Sequence, residues 1–136
     1  MPANKQVHVA VAVVINTAAQ VLISKRAEHQ HQGGLWELPG GKVEAGEALL
    51  TALDRELHEE LNLHVDSAEP LLSVSHNYGD KQVLLDVWHV TGFTGDVHPN
   101  EGQQWLWADK PTLQSLDFPA ANVPILEVVE KLLARV

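Results

Sequence analysis

A chain of 136 residues with 45% apolar content is expected to fold as one domain spanning residues 1–136 around an ordinary core. The absence of cysteine excludes disulfides, zinc–thiolate sites and thiol nucleophiles, which suits a reducing cytoplasm. A net charge of −9 argues against a general binder of nucleic-acid polymers, because that affinity rests on Lys and Arg neutralising phosphates.

The opening run MPANKQVHVAVAVVI lacks the charged, long apolar and small-residue regions of a signal peptide. Its apolar part, residues 7–15, is too short to span a bilayer, so a cytoplasmic protein without membrane contact is expected. That nearly continuous β-branched run predicts a strand buried on both faces. Residues 16–20 read as a turn and 21–26 as its hairpin partner. Residues 27–34, AEHQHQGG, form a polar loop, and 35–38 a short extended piece ending at Pro39. A helix is predicted over 47–61, with Glu47 in the first turn, where negative charge suits the helix dipole. Residues 70–78 and 82–91 read as strands around the Gly79-Asp80 hairpin turn. A loop over 92–102 and a short strand over 104–108 follow. Asn122-Val123-Pro124 opens a last helix, where proline is tolerated in the first turn. Ile125, Leu126, Val128, Val129, Leu132 and Leu133 give that helix a broad apolar face. With no repeat or linker, the order implies an α/β fold, a mixed sheet between helices.

The first helix carries the chemistry. At about 100° per residue, with Glu56 at zero, Glu59 falls near about 300° and Glu60 near about 40°. Leu50, Leu53, Leu57 and Leu61 lie at roughly 60° to 140°, an apolar stripe beside the carboxylates. Like charges so placed repel, and a hard divalent cation is their natural counter-charge, one that recruits substrate phosphates to complete its shell. Three glutamates alone are more often a solvated face. The neighbourhood alters that balance: Leu38-Pro39-Gly40-Gly41 is a turn that lets backbone approach a ligand closely, Gly46 and Glu47 open the helix, and Arg55 precedes the glutamates.

Gly41, Glu47, Arg55, Glu56, Leu57, Glu59, Glu60 and Leu63 match the signature G-x5-E-x7-R-E-U-x-E-E-x-G-U over residues 41–63, and the chain resembles the Nudix hydrolases. Asn62 departs from it, standing where the family has glycine; asparagine tolerates the left-handed conformation past a helix end, so the turn is expected to survive. The resemblance implies hydrolysis of a nucleoside diphosphate linked to another moiety, with divalent ions activating the attacking water. It implies Mg²⁺, with Mn²⁺ as a substitute, held by Glu56, Glu59, Glu60 and a backbone carbonyl of the Gly40-Gly41 turn. Arg55 is implied to orient a carboxylate of this motif rather than touch substrate. Glu47 is structural or a base, and Glu44 solvated.

Ser24-Lys25-Arg26, Trp36 to Gly41, Glu101-Gly102-Gln103 and Asp117 to Asn122 extend the resemblance over nearly the whole chain, towards the MutT-type 8-oxo-dGTP diphosphatase branch. That branch implies Glu101 as a further metal ligand and candidate base, and Asn122 as reader of the purine edge, alongside a role as helix N-cap. Arg26 is implied near the nucleotide, Leu38 in the wall of the base pocket, and Tyr78 at its border. The expectation is a monomer acting on free nucleoside triphosphates, 8-oxo-dGTP first, which clears a mutagenic nucleotide from the pool. A modified cytidine triphosphate is the alternative substrate. A non-catalytic binding domain is disfavoured because all three glutamates are present. His29, His31, His58, His64, His76, His89 and His98 form no coherent ligand set. Trp36, Trp88, Trp105 and Trp107 alternate as sheet packing does, Trp36 being the one placed to stack a base.

Overall fold

A computed structural model describes residues 5–26 and 33–136; most of the expected polar loop, with His29 and His31, lies outside the described residues. The elements in chain order are β1 (Lys5–Val14), β2 (Val21–Lys25), β3 (Trp36–Glu37), β4 (Gly40–Lys42), α1 (Leu49–Leu61), β5 (His64–Asn77), β6 (Lys81–Thr94), β7 (Trp105–Ala108), α2 (Lys110–Ser115), a 3₁₀ turn (Ala120–Asn122) and α3 (Val123–Leu133). One sheet runs β4-β1-β6-β5, with β1 parallel to β6 and the other pairs antiparallel; the second runs β3-β2-β7. Among the described residues no helix is long and apolar enough to cross a membrane.

The alternation of β1 sorts two cores. Val11 and Val13 join Ile125, Val129 and Leu133 of α3 on one face. Ala10, Ala12 and Val14 meet Leu53, Leu57 and Leu61 of α1 on the other. The sheet therefore lies between helices, as the chain order implies. Each fully buried leucine of α1 contributes about 1.5–3 kcal/mol. The helix ends at Asn62, left-handed at φ 65° and ψ 26°, whose N–H donates to the His58 carbonyl at 3.1 Å. Asparagine thus serves where glycine is the more usual stop.

Several local expectations are corrected. β2 is not a hairpin partner of β1: after a single Ile15–Val21 bridge it enters the other sheet, between β3 and β7. The Asn16 side chain holds the turn between β1 and β2, its Oδ1 accepting from Ala18 and Gln20 N–H at 3.0 Å each, and the pairing with β7 takes β2 into the other sheet. Helix α1 starts at Leu49, so Glu47 precedes the Ala48 N-cap; its carboxylate is engaged by Arg55 instead. Leu50 lies off the buried stripe at 47% exposure, and Ala52 takes its place. β5 and β6 are longer than expected because register shifts near Ser67 and between Pro70 and Leu72 break the period-two pattern. β4 and α2 were not foreseen: β4 is mostly glycine, and α2 is short, although Asp109 caps it by accepting from Thr112 N–H at 3.0 Å.

Candidate active site

The parallel pairing of β1 and β6 sets Val7 opposite Val83 and Val9 opposite Leu85. These side chains, with Val11 and Leu38, form the apolar wall of a cleft of about 300 Å³. Arg26, Glu37, Tyr78 and Asn122 also line it, as do Gly40 and Gly41. All four residues expected at the substrate, Arg26, Leu38, Tyr78 and Asn122, therefore share one cleft. Asn122 is placed by the 3₁₀ turn, its N–H donating to Pro119 O at 2.9 Å. It stands at the N-cap position of α3 as expected, but its side chain makes no capping hydrogen bond. Tyr78 is set by the hairpin turn, where its N–H donates to Lys81 O at 2.9 Å. Trp36 is not among the residues lining this cleft; it packs, partly buried, against the core cluster that includes Ile23, Leu113 and Ile125.

Two adjacent glycines of the cleft lining each meet a carboxylate of α1. The N–H of Gly40 donates to Glu60 Oε2 at 3.2 Å. Gly41 lies so close to Glu56 that a Cβ there would overlap its carboxylate, and a Cβ on Gly40 would overlap the Ala10 carbonyl oxygen. The backbone can meet both acids only without side chains of its own.

Arg55 organises the other half of the motif. Its Nε and Nη2 each donate to Glu47 at 2.9 Å, Nη1 donates to Glu56 at 2.9 Å, and Nη2 reaches Lys42 O at 3.0 Å. Glu59, more exposed, is 3.6 Å from the same guanidinium. The two hydrogen bonds from Arg55 hold Glu47 down to about 2. Glu56 is raised, chiefly by burial, with Arg55 opposing. Glu60 is pushed up to about 8 by burial, then by the charges of Glu37 and Glu56, with Glu101 adding and the Gly40 hydrogen bond opposing.

Glu37 is the residue that the sequence did not single out. It is raised by burial and pairs with Arg26, whose Nη1 donates at 3.1 Å. A carboxylate between apolar Trp36 and Leu38, immediately before the glycine turn, was the available signal.

Glu37, Glu56, Glu60 and Glu101 thus act on one another across a partly desolvated corner. A set of mutually repelling hard oxygen donors fits a divalent cation. The carboxylates surround the corner without converging: among the described residues no three acidic or histidine side chains already stand at metal-ligating spacing. Arg55 pairs with Glu56 and Glu59, and the Gly40 N–H with Glu60. Of the histidines, His58 and His64 stack on each other and His76 meets Tyr78 edge-on.

A family model described as NUDIX domain matches residues 10–128. Over 117 residues the chain is 33% identical to the CTP pyrophosphohydrolase of Escherichia coli (strain K12), covering 86% of this chain and 87% of that protein. Over 128 residues it is 30% identical to the 8-oxo-dGTP diphosphatase of the same organism, covering 94% and 99%. Among solved structures, a MutT from work on Aliivibrio salmonicida and Vibrio cholerae superposes with a TM-score of 0.84 at 35% identity, covering 94% of this chain and 99% of that one. The E. coli ORF135 protein superposes equally well, with a TM-score of 0.84 at 31% identity and coverage of 99% and 97%.

Proposed function

This chain belongs to the NUDIX domain family, and from that premise we propose that it is a Mg²⁺-dependent pyrophosphohydrolase that converts 8-oxo-dGTP to the monophosphate and pyrophosphate. The observation that carries the reading is that Arg26, Leu38, Tyr78 and Asn122 line a single cleft together with Gly40 and Gly41, the turn whose Gly40 N–H holds Glu60. Base at the valine-lined wall, phosphates at the acids: one molecule of nucleotide spans both.

The polar part of the cleft supplies a basis for choosing the base. Guanine presents two acceptors, N7 and O6, on its major-groove edge. The 8-oxo form carries hydrogen on N7, so its edge is donor beside acceptor. An asparagine amide offers one of each in reverse, and Asn122 matches the oxidised edge while leaving a mismatch with ordinary guanine. Arg26 is steadied by Glu37 at the cleft rim.

When bound, Mg²⁺ screens the phosphate charges and lowers the pKa of the attacking water. Glu56, Glu59, Glu60 and Glu101 would hold it, with a carbonyl from the Gly40-Gly41 turn. The chain's own residues do the rest. Arg55 fixes the rotamer of Glu56, Gly40 fixes that of Glu60, and Glu101 is the candidate to take the proton from water.

A cytidine triphosphate is the second reading, favoured by the CTP pyrophosphohydrolase relative at 33% identity. Product analysis tests the chemistry common to both. With Mg²⁺, monophosphate and pyrophosphate are expected from 8-oxo-dGTP; release of orthophosphate, or no turnover of any nucleotide, would contradict the proposal.

A further inference from the structure

The segment between β6 and β7 crosses the C-terminal end of α1 and donates to its last carbonyls. The last carbonyls of a helix have no intrahelical partner and are usually left to water. Here His98 N–H donates to Leu61 O at 3.0 Å, and Asn100 N–H to Glu60 O at 3.1 Å. The Asn100 side chain donates to both His58 O and Glu59 O at 3.0 Å. Gln103 does something different. Its Nε2 donates to Glu60 O at 3.1 Å, while its Oε1 accepts from the N–H of Glu101 at 3.1 Å. One amide therefore ties the main chain of one acid to the main chain of the other.

We propose that Gln103 is a positioning residue whose side-chain amide fixes Glu101 in the frame of Glu60, so that the loop acid and the helix acid face the same ion. The proposal rests on the function given above, in which both acids serve the metal. A neutral side chain that donates and accepts at once is needed, because one end meets a carbonyl and the other an N–H. Asn100 anchors the loop to the helix, and the Gln103 bridge carries that anchorage to Glu101 itself. Glu101 is exposed and Gln103 half-buried, so the bridging residue is better shielded from water than the acid it steadies.

Gln103→Met keeps the length and removes both hydrogen bonds. Mn²⁺ alone, followed through the resonance of the free ion, is the binding probe for the nucleotide-free protein. Loss of such an outer partner is expected to weaken Mn²⁺ binding by about tenfold or more. Turnover number should fall by a similar factor, KM for the nucleotide should stay within about twofold, and Glu101 N–H should exchange with solvent faster than in wild type. A variant that lowers only the melting temperature, with Mn²⁺ affinity and turnover unchanged, would overturn the proposal, since that marks a purely structural glutamine. Unprotected Glu101 N–H in the wild-type protein would overturn it without any variant. Wild-type turnover of 8-oxo-dGTP is the separate control: an active wild type matched by Gln103→Met sinks the bridge and leaves the function standing.

Discussion

The backbone N–H of Gly40 donates to Oε2 of Glu60 across 3.2 Å, joining a turn to the last turn of a helix twenty residues later. That bond locates the site. Gly40 belongs to β4, an edge strand on β1, and Glu60 to the helix packed over the same sheet. Packing of Leu53, Leu57 and Leu61 on Ala10, Ala12 and Val14 therefore sets where the acid meets the turn.

Gly41→Ala tests that close approach. The added methyl would strike the Glu56 carboxylate and displace it. A misplacement of this kind is expected to lower turnover by about a hundredfold. The folded state should persist, because the clash is relieved by moving one side chain. Steady-state kinetics with circular dichroism as the folding control checks both halves.

Glu60 gives a pH prediction. Its folded-state value is raised from 4.5 to about 8, so at neutral pH the metal-free protein keeps this carboxyl protonated. A cation must displace that proton, and the apparent Mg²⁺ affinity should rise with pH until about 8 and then level. Stability has the opposite sign. A raised carboxyl stabilises fully below its unfolded value, and that contribution is lost as pH rises through the folded one. In EDTA, the melting temperature of wild type relative to Glu60→Gln should fall between pH 4.5 and about 8. A constant difference would contradict the assignment.

Arg55→Lys separates charge from geometry. Lysine keeps the positive charge but cannot grip Glu47 with two donors while reaching Glu56 and the Lys42 carbonyl. Turnover should drop by about tenfold to a hundredfold, with nucleotide KM little changed. A large rise in KM alone would place Arg55 on the substrate.

Asn62→Ala probes the helix stop. A β-carbon residue other than Asn at φ 65° is strained, and the variant also loses the Asn62 bond to Asp96 O at 3.2 Å. Destabilisation of about 1–2 kcal/mol in urea unfolding is expected. Asn62→Gly should be closer to neutral, since glycine accepts that backbone without strain.

Asn122→Ala tests the base edge. Its loss should reduce the preference for 8-oxo-dGTP over dGTP while leaving dGTP turnover nearly unchanged. Unchanged selectivity would move the base-reading role elsewhere in the cleft.

Much of this site was legible because it is local. The spacing of Arg55, Glu56, Glu59 and Glu60 is a property of one helix, and Asn62 announced its end. The cleft residues Arg26, Leu38, Tyr78 and Asn122 were found by resemblance, since nothing in their spacing brings four separate segments together. Glu37 was missed because its importance arises from burial against Arg26 and Glu60, which only the fold supplies. The β2 error has the same origin: a turn is visible in Asn16 to Gln20, but which sheet the chain enters next depends on β7, far along the sequence. Helical angles placed Glu56, Glu59 and Glu60 on one arc, and Arg55 pairs with two of them.

The central claim is best tested by kcat/KM with Mg²⁺ for 8-oxo-dGTP, dGTP, CTP, dCTP and 5-methyl-dCTP under one set of conditions. A preference for 8-oxo-dGTP over dGTP of at least about a hundredfold, or about 2.7 kcal/mol in transition-state binding, is the predicted result. A higher kcat/KM for CTP or either deoxycytidine nucleotide would contradict it, keeping the hydrolysis and reassigning the cleft to a pyrimidine.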